Sequence, residues 1–301
     1  MALYLRWDDL LMTKILRPLT ISTVVALMLG AAACGGDDDS TSATAATTST
    51  SAATTTAEAA TTTTPAVTDV KLYFLRGEKV GVVRREVADD GAPATAAVQA
   101  LLEGPGEEEV ALGFGTTIPD GTTLNGVVID AGVATIDLSA TYDDGGGTSS
   151  MTSRLAEVVF TLTQFPTVTS VRFELDGTPV TSFGGEGILL VDPVDRSDFA
   201  YATPMILVES PAPGDVVGSP LTISGSNNTF ESNVVFRLED DTGATLAEGN
   251  TTGTGGMGRW GPFEGSLEFD PGAATTGTLV VYESSARDGS EINVTEIPVR
   301  F

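Results

Sequence analysis

Hydrophobic positions along the chain fall into four successive patterns. Leu19 to Leu29 is a short apolar run, and residues 35–66 then carry no large apolar side chain at all. From Val70 the period switches repeatedly between two and about 3.6. After residue 204 only strand-like runs remain.

In the mixed segment, Val70–Leu75 and Val80–Val87 read as strands joined by a turn at Arg76-Gly77. Pro93 opens a helix with Val98, Leu101 and Leu102 on one face, and Gly104-Pro105 stops it. Val127–Ile129 and Val133–Leu138 flank a tight Asp130-Ala131-Gly132 connection, a hairpin signal. After the loop Gly145-Gly146-Gly147, with Ser149 or Ser150 as candidate caps, Met151, Leu155, Val158, Val159 and Leu162 recur at helical spacing up to Pro166. Val171–Leu175, the Asp176-Gly177 turn and Pro179-Val180 predict a last hairpin. Strands and the two helices alternate without a repeated βαβ unit, which predicts an α+β domain over 69–200. The runs at Met205–Glu209, Leu221–Ser224, Val234–Leu238, Gly265–Phe269, Thr278–Tyr282 and Ile292–Phe301 predict an all-β sandwich over 204–301. Because Val70–Leu75 begins the first domain with only a tether before it, it is the expected open sheet edge. Lys71 and Arg76 would limit promiscuous pairing there.

The first two patterns read as an address. Lys14 and Arg17, the apolar run and Ala31-Ala32-Ala33-Cys34 have the order of a signal peptide over residues 1–33. Trp7, Asp8 and Asp9 fit that signal poorly, which makes Met12 an alternative start to Met1. The tetrapeptide resembles a bacterial lipobox, with Ala where Leu or Val is common. Cys34, the chain's one cysteine, is the expected lipidation site, and the cytoplasmic membrane is then a partner through the anchor. An ordinary signal-peptidase site is the other reading. Residues 34–68 are expected to be a disordered Ala/Thr-rich linker with a reach of about 30 Å. The protein would stand on the outer face of the cytoplasmic membrane.

Charge narrows the partners. The whole chain carries a formal charge of −26; from Cys34 onward, 12 Lys and Arg face 39 Asp and Glu, a charge of −27. Such a surface repels phosphate backbones, so nucleic acid is not an expected partner. There is no His, and Lys stands only at positions 14, 71 and 79, without a Ser-x-x-Lys. Ser-His-Asp and Cys-His catalysis, His-ligated zinc and a Ser-Lys nucleophile are therefore excluded, while carboxylate-only glycan hydrolysis is not.

Candidate sites are few. Asp143-Asp144 and Glu239-Asp240-Asp241 lack EF-hand spacing and read as solvated turn carboxylates; no metal or cofactor is expected. Glu107-Glu108-Glu109 suits the first turn of a short helix. Phe183-Gly184-Gly185-Glu186-Gly187 suggests a partner-binding turn, because glycine lets another chain approach closely; the other reading is a tight structural turn. Trp260 is a candidate sugar-stacking aromatic or a half-buried loop residue.

Several of these segments carry a family resemblance. Ala100–Pro105, Ile118–Thr122, Gly132–Ser139, Phe160–Pro166, Val168–Gly177 and Phe183–Gly187 together resemble the GerMN domain of bacterial sporulation and spore germination proteins, over residues 69–199. Val208–Gly214, Gly261-Pro262-Phe263 and Glu283–Asn293 resemble the immunoglobulin-like domain that often follows it. The resemblance implies a GerMN-like α+β domain followed by an immunoglobulin-like sandwich. It further implies a non-enzymatic envelope interaction or assembly module without catalytic residues, whose partners are other envelope proteins. Binding of cell-wall glycan, with peptidoglycan as the partner, is the alternative.

Overall fold

The computed structural model describes residues 66–185 and 187–301. The signal pattern, Met12, Cys34, the linker up to residue 65 and Glu186 lie outside the described residues.

Strands β1 (Val67–Arg76) and β2 (Lys79–Ala88) pair residue for residue around the two-residue loop Gly77-Glu78. Helix α1 (Pro93–Leu102) starts on Pro93, whose fixed φ and missing N–H suit a first turn. In α2 (Glu107–Ala111) the Glu109 carboxylate accepts the Gly106 N–H at 2.6 Å and also holds Arg85. Strand β3 (Phe114–Gly115) pairs with Leu75 and Arg76. Strands β4 (Leu124–Asp130) and β5 (Val133–Leu138) then form the predicted hairpin. Its loop residues Ala131 and Gly132 have φ of +46° and +89°, the primed turn that matches strand twist.

After a 3-10 turn at Ala140–Asp143, α3 (Thr148–Leu162) leads to β6 (Ser170–Leu175), which pairs parallel to β5. One βαβ crossover therefore lies inside the domain. Periodicity could not reveal it, because strand direction is a property of the pairing and not of either segment. Gly147 occupies the N-cap, so Ser149 and Ser150 sit within the first turn. Short strands β7 (Thr178–Pro179), β8 (Ser182–Phe183) and β9 (Ile188–Leu189) finish the domain. Its sheets run β2-β1-β3, β4-β5-β6-β7 and β8-β9. Helix α3 is buried nearly all round, with Leu155, Val158, Val159 and Leu162 at 0% exposure, so it forms the centre of the core.

The strand expected at an open edge is instead interior. Besides β2 on one side and β3 at one end, β1 is closed on its other side by side chains following and within α3. The Lys71 N–H donates to Gln164 Oε1 at 2.8 Å, Gln164 Nε2 donates to the Lys71 carbonyl at 2.6 Å, and the Tyr73 N–H donates to Thr161 Oγ1 at 3.2 Å. A primary amide carries two N–H donors and an acceptor, and here one N–H and the carbonyl oxygen replace a neighbouring strand while the other N–H goes to the Thr161 carbonyl.

The remaining chain holds β10 (Ile206–Ser210), β11 (Leu221–Asn227), β12 (Asn233–Asp240), β13 (Thr245–Thr252), β14 (Gly261–Leu267), β15 (Thr276–Ser284) and β16 (Glu291–Arg300). They make two antiparallel sheets, β10-β11-β14 and β13-β12-β15-β16. Ile223, Phe236, Leu238, Leu279 and Val281 interleave between them. No disulfide is needed to hold the sandwich. The alternating residues of β10 divide between two cores: Ile206 and Val208 join the sandwich, whereas Leu207 joins the α+β core with Phe199 and Ala202.

Candidate functional site

The glycine-rich turn is built from the inside. Phe183 is fully buried, its ring 5.3 Å from that of Tyr142, so this side chain faces the core and not a partner. The Gly184 N–H donates to Asp143 Oδ1 at 2.7 Å, which engages one of the paired aspartates in holding the turn. Gly184 has φ of +67°, and a Cβ there would meet Met151 at 3.2 Å, so both backbone and space call for glycine. Gly185 and Gly187 are exposed. Among the described residues no cluster of three or more His, Cys, Asp or Glu is placed to hold a metal. Asp240 instead accepts from Thr242 and Ala244 in its own turn, and those bonds hold its carboxyl below the usual range.

Trp260 lies at the junction of the two domains, half-buried, with its indole N–H donating to the Pro204 carbonyl at 2.8 Å. Beside it a cleft of about 680 Å³ is bounded by Phe160, Thr163, Arg196, Glu209 and the Arg259–Pro262 loop. Its central charges are already matched. Glu209 Oε1 accepts from Tyr73 Oη and from Arg196 Nη1, each at 2.6 Å, and Oε2 lies 3.2 Å from Lys71 Nζ. Arg196 also donates to Thr163 Oγ1 and the Phe160 carbonyl, with its guanidinium over the Tyr73 and Phe160 rings. Burial pushes the Tyr73 hydroxyl well above the phenol range, with Glu209 adding to it. Burial would raise Glu209 too, but Arg196, Tyr73 and Lys71 outweigh it and hold the carboxyl below its ordinary value. The network reads as a staple: β1 offers Lys71 and Tyr73, the junction offers Arg196, and β10 offers Glu209.

A second buried carboxyl belongs to α3 itself. Glu157 accepts from Thr116 Oγ1 at 2.6 Å and from the N–H and hydroxyl of Thr117 at 2.9 Å. Burial raises its pKa to about 7 despite these bonds and the nearby Arg154. Arg154 is itself buried and donates to the carbonyls of Thr117, Tyr142, Asp144 and Gly145, tying the loop after β3, the 3-10 turn and the loop that follows it to the helix.

Among the described residues, the outer edge of β4 is a surface feature that no other strand pairs with. Other long edge strands carry charge or are covered. β2 bears Arg84, Arg85 and Glu86 and gives its Val80 N–H to the Ala202 carbonyl. β16 bears Glu291 and Glu296 and is bonded along its last residues by Gly214 and Val217. β13 carries Glu248, and β7 ends in Pro179. β4 has no charged residue from Leu124 to Ile129, and Val128 and Ile129 are 66% and 39% exposed. Hairpin geometry pairs Asp130 and Val128 inward with Val133 and Thr135, so the main chains of Val127 and Ile129 point outward. Next to them is a groove of about 300 Å³ lined by Gly91–Thr95, Val127, Ile129, Phe165 and Thr167. Local sequence signals do not distinguish this edge, since Val127–Ile129 reads as any other strand.

This arrangement defines a two-domain protein, an α+β unit stapled to a β-sandwich, with an uncharged edge at β4 among the described residues. Residues 71–181 match the family described as "Sporulation and spore germination", and residues 205–290 match the "Immunoglobulin-like domain of bacterial spore germination". The chain thus joins a GerMN domain to the immunoglobulin-like domain of bacterial spore germination. Similar solved structures include a candidate lipoprotein from Clostridium perfringens, at 22% identity over 46% of this chain and 93% of that one, with a TM-score of 0.34. The tandem GerMN domains of the sporulation protein GerM from Bacillus subtilis are 17% identical over 67% of this chain and 62% of that one, with a TM-score of 0.39. The first GerMN domain of GerM is 25% identical over 44% of this chain and 99% of that one, with a TM-score of 0.35. No curated protein matches the chain. Among the described residues no helix is long and apolar enough to cross a membrane.

Proposed function

We propose that this chain is a lipid-anchored, non-enzymatic protein of the cell envelope whose two domains act as a protein interaction or assembly module. The observation that carries the reading is the uncharged, outward-facing β4 edge. Natural sheets normally protect such an edge with charge, proline or a covering element, and an edge left open offers donors and acceptors to another chain. The absence of His and of a Ser-x-x-Lys supports the non-enzymatic part, by removing the common nucleophile-and-base arrangements. Trp260 spends its N–H on the domain junction, which supports a structural use for it over sugar stacking.

The edge is tested by crosslinking and pull-down from intact cells. Val127→Pro removes an outward donor and leaves the hairpin bonds in place, so captured envelope proteins should be lost while the purified variant still melts cooperatively. Unchanged capture would defeat the reading. So would turnover of peptidoglycan that stops on changing one carboxylate. Anchoring is tested separately: the wild type should partition into detergent and Cys34→Ser should not, and an unmodified Cys34 in the mature protein by mass spectrometry would sink that part.

A further inference from the structure

Resting on the reading of β4 as an interaction edge, we propose that its occupant is an extended basic segment of another protein, added to the sheet as a fifth strand.

Three observations specify the occupant. Val127 and Ile129 each present an N–H and a carbonyl outward, which suits a partner strand and not a helix. On the helix-facing side of the sheet, the added strand's alternate side chains fall beside Val127 and Ile129, into the groove under Pro93 and Phe165. That groove takes apolar or β-branched residues at positions i and i+2. The rim is acidic. Asp130 ends β4, and Asp89 and Asp90 lie just before α1, their carboxylates accepting from the Gly91 and Ala92 N–H groups at 3.2 and 3.1 Å. None of the three has a salt-bridge partner among the described residues. On the opposite face, the cation carried by this four-stranded sheet, Arg172, stands two strands in on β6.

A second copy of this chain fits less well. Antiparallel β4-to-β4 pairing about Val128 would set Ile129 against Val127, but it would gather six carboxylates around one seam, between two molecules that each carry −26. Lysine or arginine flanking the added strand relieves that repulsion.

The test uses the full chain, isotope-labelled and in detergent, with the peptide Lys-Lys-Val-Thr-Ile-Thr-Val-Lys-Lys and its counterpart flanked by Glu. The lysine peptide should slow amide exchange at Val127 and Ile129 at least tenfold, and should bind at least tenfold tighter than the glutamate peptide at low salt. That gap should close as salt is added. Combined Asp89→Asn, Asp90→Asn and Asp130→Asn should narrow it too, without loss of folding, and Val127→Pro should abolish binding. Equal binding of the two peptides overturns the proposal, as does binding of neither. Exchange protection that grows with protein concentration alone overturns it in favour of a second copy. If Val127→Pro abolishes capture in cells while neither peptide binds, the edge still functions and only the basic occupant is wrong. If capture in cells is unchanged by Val127→Pro, the edge reading itself fails.

Discussion

Glu157 and Glu209 are both buried carboxylates, and they pull stability in opposite directions with pH. Glu209 is held below its unfolded value, so its contribution is present above that value and is lost as pH falls. Glu157 is raised to about 7 in the folded protein. The folded state therefore holds that proton more tightly, and the contribution is full below pH 4.5 and is lost as pH rises through 7. A shift of this size corresponds to about 3 kcal/mol. Glu157→Gln keeps an acceptor for Thr117 and removes the titration. Its stability relative to wild type should therefore rise by about 2–3 kcal/mol between pH 4.5 and pH 8, read by denaturant unfolding at each pH. A difference that stays flat across that range means the carboxyl is solvated or already paired. Neither residue could be singled out from sequence. Glu157 is one of many acids, and Glu209 acquires its role from Tyr73, 136 positions away.

At the scale of elements, local signals are legible in the sequence and partnerships are not. The Asp130-Ala131-Gly132 turn, the Pro93 start of α1 and the helical spacing of Met151–Leu162 are each decided by residues a few positions apart, and each element stands where the pattern put it. Strand β13, with the sequence Thr-Leu-Ala-Glu-Gly-Asn-Thr-Thr, lacked enough apolar residues to register. The parallel β5–β6 pair and the closure of β1 depend on contacts across the fold. Phe183 reads as part of a surface turn because nothing adjacent in sequence announces Tyr142 beneath it. The amide of Gln164 is the device that makes β1 interior, and removing it should reopen the strand. Gln164→Ala should speed exchange of the Lys71 amide and cost about 2–3 kcal/mol, near the value of the three hydrogen bonds lost, two with Lys71 and one with the Thr161 carbonyl. If that amide exchanges at the wild-type rate, β3 and β2 alone close the strand.

For the whole molecule, the sequence predicts two units, 69–200 and 204–301, separated by a short linker. The residues between and just after them are tightly engaged: Phe199 and Ala202 are buried in the α+β core, and Leu207 crosses into it from β10. The described residues belong to one compact unit. Cutting the chain between Thr203 and Pro204 uncovers Leu207, worth about 1.5–3 kcal/mol of burial, and strips Glu209 of Lys71 and Arg196. In calorimetry the intact chain should melt in one transition, with both fragments melting below it. A fragment that melts at the temperature of the intact chain would show that the shared strand contributes nothing.

The divided allegiance of β10 also bears on how such proteins could be recombined. A strand with one face in each core cannot be inherited with either domain alone. A chimera that swaps the sandwich at residue 204 would place a foreign side chain in the slot of Leu207 and a foreign group opposite Arg196. A functional exchange must carry the segment from Asp195 through Ser210 together with the matching Lys71 and Tyr73 of β1. These two modules would then pass between lineages as a pair, with their seam conserved in kind even where their outer surfaces diverge.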